Sequence, residues 1–129
     1  MIEICAPLHV AIQVQDLAAA EAFYGNVLGL QAVERPLNFP GCWYQVGAFQ
    51  IHLIVAGRVG EPSGPASPPG EKWGRRPHLA FSISNLDQAR QHLQASAIPM
   101  QASTSGRAAL FIQDPDGNII ELSQAPGPV

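Results

Sequence analysis

The sequence predicts an α+β fold of two tandem βαβββ modules, and three observations predict it. Short runs alternate apolar and polar residues as strands do, each module start carries a helix cap, and the second half repeats the first at an offset of 69. At that offset His9 falls on His78, Ala11 on Ala80, Asp16 on Asn85, Leu17 on Leu86 and Ile51 on Ile120. Leu53 then falls on Leu122, and His52 on Glu121. A duplicated unit is the simplest explanation. It implies a curved mixed sheet cup with helices on its outer face, in a single domain over 1–129.

Module 1 spans about 7–56. Leu8-His9-Val10-Ala11-Ile12-Gln13-Val14 puts Val10, Ile12 and Val14 on one face and His9, Ala11 and Gln13 on the other. Asp16 is a helix N-cap, because its carboxylate can accept from the free amides of the first turn. Leu17, Ala20, Phe23, Tyr24 and Val27 follow at helical spacing, and Gly29 stops the helix. Strands are expected near 30–35, 42–47 and 49–56, with Gly47-Ala48 as a hairpin. Residues 57–76 are dense in Pro and Gly and read as a linker, a hinge or a lid, with Trp73 closing over a substrate or packing at an interface. Module 2 spans about 77–124. His78, Ala80 and Ser82 share a face opposite Leu79, Phe81 and Ile83, and Asn85 caps a helix through Leu86, Ala89, Arg90 and Leu93. Strands near 98–103, 108–113 and 118–124 close it, with Asp114-Pro115-Asp116-Gly117 as a turn.

Composition bounds the function. The chain has 129 residues, 47% of them hydrophobic, with net charge −3 and pI near 5.7. No basic stripe is present to neutralise nucleic-acid phosphates, the longest cluster being Lys72, Arg75 and Arg76. No apolar run reaches the roughly 18 residues of a membrane span, and no basic leader opens the chain. Cys5 and Cys42 lack metal-binding spacing, and a disulfide between them stays open. The expectation is a cytoplasmic protein acting on a small molecule, as a homodimer, with no nucleic-acid or membrane partner.

Four side chains carry the chemistry: His9, His52, His78 and Glu121. Each lies in a predicted strand whose large apolar neighbours point the other way, so each is offered to a shared concave side. Three imidazoles and one carboxylate suit a divalent ion such as Zn, Ni, Co, Mn or Fe(II). His92 matches Phe23 in mid-helix and reads as a surface or structural residue. Arg107 reads either as a substrate-binding guanidinium or as a solvated turn residue. Tyr44 reads either as a substrate hydrogen-bond donor or as a core ring.

Leu8-His9-Val10-Ala11, the segment Phe23 to Leu30 and the closing Asp114 to Leu122 resemble the vicinal oxygen chelate superfamily, over essentially the whole chain. That superfamily includes glyoxalase I, extradiol dioxygenases, methylmalonyl-CoA epimerase, fosfomycin-resistance transferases and bleomycin-binding proteins. The resemblance implies metal ligands at His9, His52, His78 and Glu121. Bacterial glyoxalase I is similar at His9, His78 and Glu121 but usually has a glutamate where this chain has His52. Fosfomycin transferases resemble it at the same three positions, and extradiol dioxygenases use a similar two-His, one-Glu set on Fe(II). The implied activity is a metal-dependent lyase or isomerase of glyoxalase type, acting on a substrate with vicinal oxygens. Glu121 would serve as ligand and catalytic base. The alternatives are a dioxygenase or thiol transferase on the same scaffold, or an antibiotic-binding protein without catalysis.

Overall fold

The structure, a computed structural model, describes residues 1–55 and 70–125. The chain divides into two compact units, Met1–Ser63 and Gly64–Val129. Most of the proposed linker, 57–69, lies outside the described residues.

The first unit is a four-stranded mixed sheet in the order β1-β4-β3-β2, with β1 His9–Val14, β2 Gln31–Val33, β3 Gly41–Val46 and β4 Phe49–Val55. β1 runs parallel to β4 and sets Ala11 opposite His52, while β3 pairs antiparallel and sets Trp43 opposite His52. Alternation therefore sends Ile12, Val14, Tyr44, Ile51 and Leu53 to the other face, where all five are buried with Phe23 and Tyr24. Each such side chain contributes about 1.5–3 kcal/mol relative to exposure. The helix covering that face, α1 (Leu17–Glu21), lies against β3 and β4. Asp16 caps it as expected, accepting from the Ala19 amide at 3.1 Å.

One expectation is corrected here. The segment 17–27 is not one regular α-helix. It widens into π-helical turns over Ala22–Val27, where the Leu28 amide donates to Phe23 O at 2.9 Å. The extra residue per turn lets the adjacent Phe23 and Tyr24 both reach the core, meeting edge to face at 5.0 Å. Gly29 follows at φ 71°.

The second unit repeats the plan in the order β5-β8-β7-β6: β5 His78–Ile83, β6 Gln101–Ala102, β7 Ala109–Gln113 and β8 Ile119–Gln124. Its helix α2 (Leu86–Ala95) is capped by Asn85, which accepts from Gln88 N at 3.0 Å, and it lies against β8. Leu79 and Phe81 are half-buried, and Leu86, Leu93, Leu110, Ile112, Ile120 and Leu122 are buried. β5 pairs parallel with β8 and sets Ala80 opposite Glu121, so the parallel pairing repeats at the sequence offset of 69. The turn before β8 is fixed by Asp114, a buried carboxylate that accepts from the Asp116 and Asn118 amides at 2.9 and 2.8 Å and from Asn118 Nδ2 at 2.8 Å. Ahead of β5 a short 3₁₀ turn spans Trp73–Arg75. Cys5 and Cys42 are both free thiols. Among the described residues no helix is long and apolar enough to cross a membrane.

Candidate functional site

Each unit brings two of the four expected ligands together on the face away from its helix. In the first unit His9 and His52 lie on one face because His52 pairs with Ala11, one pleat along from His9. Their rings stack at 4.1 Å with an 11° tilt, and Trp43 stacks on the far side of His52 at 3.9 Å. A relay of amides fixes the His52 ring. Gln45 Nε2 donates to Gly47 O at 2.7 Å, Gln50 Nε2 donates to Gln45 Oε1 at 2.7 Å, and His52 Nε2 meets Gln50 Oε1 at 2.8 Å. With Gln50 so oriented its oxygen faces the imidazole, so Nε2–H donates and Nδ1 keeps the lone pair. Burial holds the His52 pKa below the usual histidine value, and the nearby His9 and Arg35 push the same way. The stack also sets a limit. Lone pairs of near-parallel rings lie in near-parallel planes, so one ring must turn before both nitrogens can meet one ion.

The second unit holds the tighter pair. His78 Nδ1 donates to Arg76 O at 2.7 Å, which leaves Nε2 bare in the neutral ring. Nε2 lies 3.4 Å from Glu121 Oε1, and Glu121 is only 3% exposed. Two acceptors side by side repel unless a proton or a cation joins them. Bonds of about 2.1 Å to one ion would separate adjacent ligand atoms by roughly 3.0 Å in octahedral and 3.4 Å in tetrahedral geometry. The observed spacing falls at the upper end of that range, so this pair fits a divalent ion. Arg107 Nη2 donates to the same Oε1 at 2.9 Å and offsets the charge of the buried carboxylate. Phe111, the register partner of Glu121, meets His78 edge-on at 5.3 Å. Among the described residues neither unit gathers three His, Cys, Asp or Glu donors into one cluster.

The other expected site residues divide. Arg107 reaches the candidate site, though through Glu121. Tyr44 does not: it lies on the helix-facing side of β3, 2% exposed and stacked on Tyr24 at 6.2 Å. This corrects the substrate-donor reading in favour of the core ring, because Trp43 and not Tyr44 shares the His52 face. Burial, reinforced by the Cys42 thiol, pushes the Tyr44 phenol upward, so it stays un-ionised at neutral pH. His92 is exposed in the last turn of α2. Trp43, Gln50 and Phe111 were not singled out from the sequence. Trp43 and Phe111 each face the ligand of the closing strand, but at an offset of 68 rather than 69.

A pH dependence follows from His52. Its proton is held more weakly folded than unfolded, so the unfolded chain binds more protons as pH falls below about 6.5. The metal-stripped protein is expected to lose stability from that pH downward, with full stability above it. Urea midpoints measured against pH should fall through this window in the native chain and flatten in His52→Gln. An identical slope in both proteins would contradict the assignment.

Residues 6–122 match the family model described as "Glyoxalase/Bleomycin resistance protein/Dioxygenase superfamily". The chain is 30% identical over 133 residues to human mitochondrial methylmalonyl-CoA epimerase, covering 91% of this chain and 72% of that one. It is 32% identical over 123 residues to the Escherichia coli protein YaeR, covering 88% and 92%. A glyoxalase/dioxygenase from Nostoc punctiforme superimposes with a TM-score of 0.74 at 26% identity, covering 98% of this chain and 99% of that one.

Proposed function

Because the chain belongs to the glyoxalase/bleomycin resistance protein/dioxygenase superfamily, we propose that it is a metal-dependent lyase or isomerase of glyoxalase type, acting on a small substrate with two vicinal oxygens. The observation that carries this reading is the His78–Glu121 pair: an imidazole nitrogen 3.4 Å from a buried carboxylate. His9 and His52 complete the proposed ligand set. A bound divalent ion would supply Lewis acidity to a substrate carbonyl and so acidify the adjacent carbon.

The chain's own groups do the rest. Glu121 Oε1 is the proton acceptor, and the surrounding strands exclude water from it. Arg107 Nη2 donates to Glu121 Oε1 at 2.9 Å and so orients the carboxylate. The Arg76 carbonyl fixes the His78 tautomer, and the Gln45–Gln50 relay fixes that of His52.

The experiment is elemental analysis of the purified protein, then an activity panel with each of Zn, Ni, Co, Mn and Fe(II). Methylglyoxal with glutathione tests the glyoxalase reaction, and a racemisable acyl thioester tests the epimerase reaction. Protein without bound metal that gains no activity with any of the five would end this reading. Oxygen uptake with a catechol and Fe(II) would move the chain to the dioxygenases of the same superfamily. The Arg107–Glu121 pair favours one alternative, since it leaves the carboxylate charge-compensated without an ion. Full binding of an antibiotic by metal-stripped protein would support that binding-protein reading.

A further inference from the structure

The second unit contains a cavity of about 620 Å³ beside the candidate pair. That volume falls in the range of small-molecule sites. Its walls are unlike the rest of the chain. The protein carries a net charge of −3 and seven Lys and Arg in all. Three of the seven, Lys72, Arg75 and Arg107, line this cavity, and among the described residues no acidic one does. Three hydroxyl residues from the segment after β6 line it as well: Ser103, Thr104 and Ser105. Arg107 is already paired with Glu121, so Lys72 and Arg75, gathered with hydroxyls, are the cations left to take an oxyanion.

The walls are held in place. Gln101 bonds the cationic segment from β6, its Oε1 accepting from the Trp73 amide at 3.0 Å and its Nε2 donating to Glu71 O at 2.8 Å. Gly74 lets that segment close on Phe111, for a Cβ there would stand 2.8 Å from the Phe111 ring. The Ser103 and Ser105 hydroxyls bond each other at 2.9 Å. The cavity also adjoins the candidate site through shared side chains. Arg107 lines the cavity and bonds Glu121, and Phe111 lines the cavity and packs on His78.

The geometry points to this cavity as the subsite for an anionic tail of the substrate, a phosphoryl or carboxylate group bearing at least two charges. The inference rests on the lyase or isomerase reading for what lies at the other end of the substrate, but not for the binding itself. Lys72 and Arg75 hold the tail. Arg107 stands between tail and carboxylate, so its guanidinium can bridge the two.

The test is titration of the full, ¹⁵N-labelled, metal-stripped chain with pyrophosphate and, separately, with succinate, followed by amide shifts. Saturable shifts are expected at Gly74, Ser103, Thr104 and Ser105. Binding should weaken as sodium chloride rises. The exposed double variant Lys72→Ala/Arg75→Ala should bind about 100-fold more weakly, roughly tenfold for each charge-assisted contact removed. Pyrophosphate binding more tightly than succinate assigns the tail as phosphoryl, and the reverse assigns it as carboxylate. No saturable shift with either probe, or equal binding by the double variant, overturns the proposal. Because no metal enters this measurement, its failure leaves metal uptake untouched, and a chain that takes up no metal can still pass it.

Discussion

Glu121→Gln is expected to fold like the native chain and to lose divalent-metal affinity by about 100-fold or more, since even residues that only orient a ligand cost about 10–100-fold. The substitution keeps the size of the side chain and one carbonyl oxygen. It removes the charge that stands against His78 and Arg107 in a nearly closed setting. A neutral amide presents a weaker donor to an ion and cannot accept a proton at neutral pH. Any metal-dependent turnover should therefore drop by about 10²–10⁴, the usual span of general-base catalysis. Calorimetric titration with Zn or Ni after chelator treatment reads the first effect, and steady-state kinetics the second. Unchanged metal stoichiometry and affinity in a folded Glu121→Gln protein would remove Glu121 from the ligand set.

Asp114→Ala should lower the stability of the second unit by about 2–4 kcal/mol. The carboxylate accepts three hydrogen bonds that organise the turn into β8, two from backbone amides and one from the Asn118 side chain. Alanine deletes both acceptor oxygens and with them all three bonds, and each such loss costs about 1–3 kcal/mol before water compensates part of it. Because this turn fixes where β8 begins, the loss should also loosen the placement of Glu121. Urea unfolding followed by tryptophan fluorescence and circular dichroism checks the magnitude. A change below about 0.5 kcal/mol, the level of an ordinary surface substitution, would mean that the turn is held by other contacts.

Much of this was legible in the sequence because strands and caps report themselves locally. The eight strands among the described residues were expected within two or three residues of their positions, and Asp16 and Asn85 cap the helices for the reason their side chains suggest. The repeat offset of 69 also returns in the structure, where Ala80 pairs with Glu121 as Ala11 pairs with His52. What escaped was set by register between neighbouring strands. Tyr44 and Trp43 are adjacent aromatic residues, and nothing in their own types says which faces His52; the β3–β4 pairing decides it. The π-helical turns over Ala22–Val27 were invisible because their residues also satisfy an α-helical spacing. The reach of Arg107 to Glu121 depends on pairing across the β7–β8 hairpin, which a turn arginine does not advertise.

The two antiparallel hairpins differ in length: nine positions separate Trp43 from His52, and ten separate Phe111 from Glu121. The parallel contacts are indifferent to this difference, because β4 and β8 are indexed against the opening strand of their own module. Loop tips are therefore places where duplicated halves can drift apart while donor atoms stay registered. A designer lengthening the Gly47-Ala48 bend would displace β3 and its Trp43 first, and the imidazoles of the parallel β1–β4 pair last.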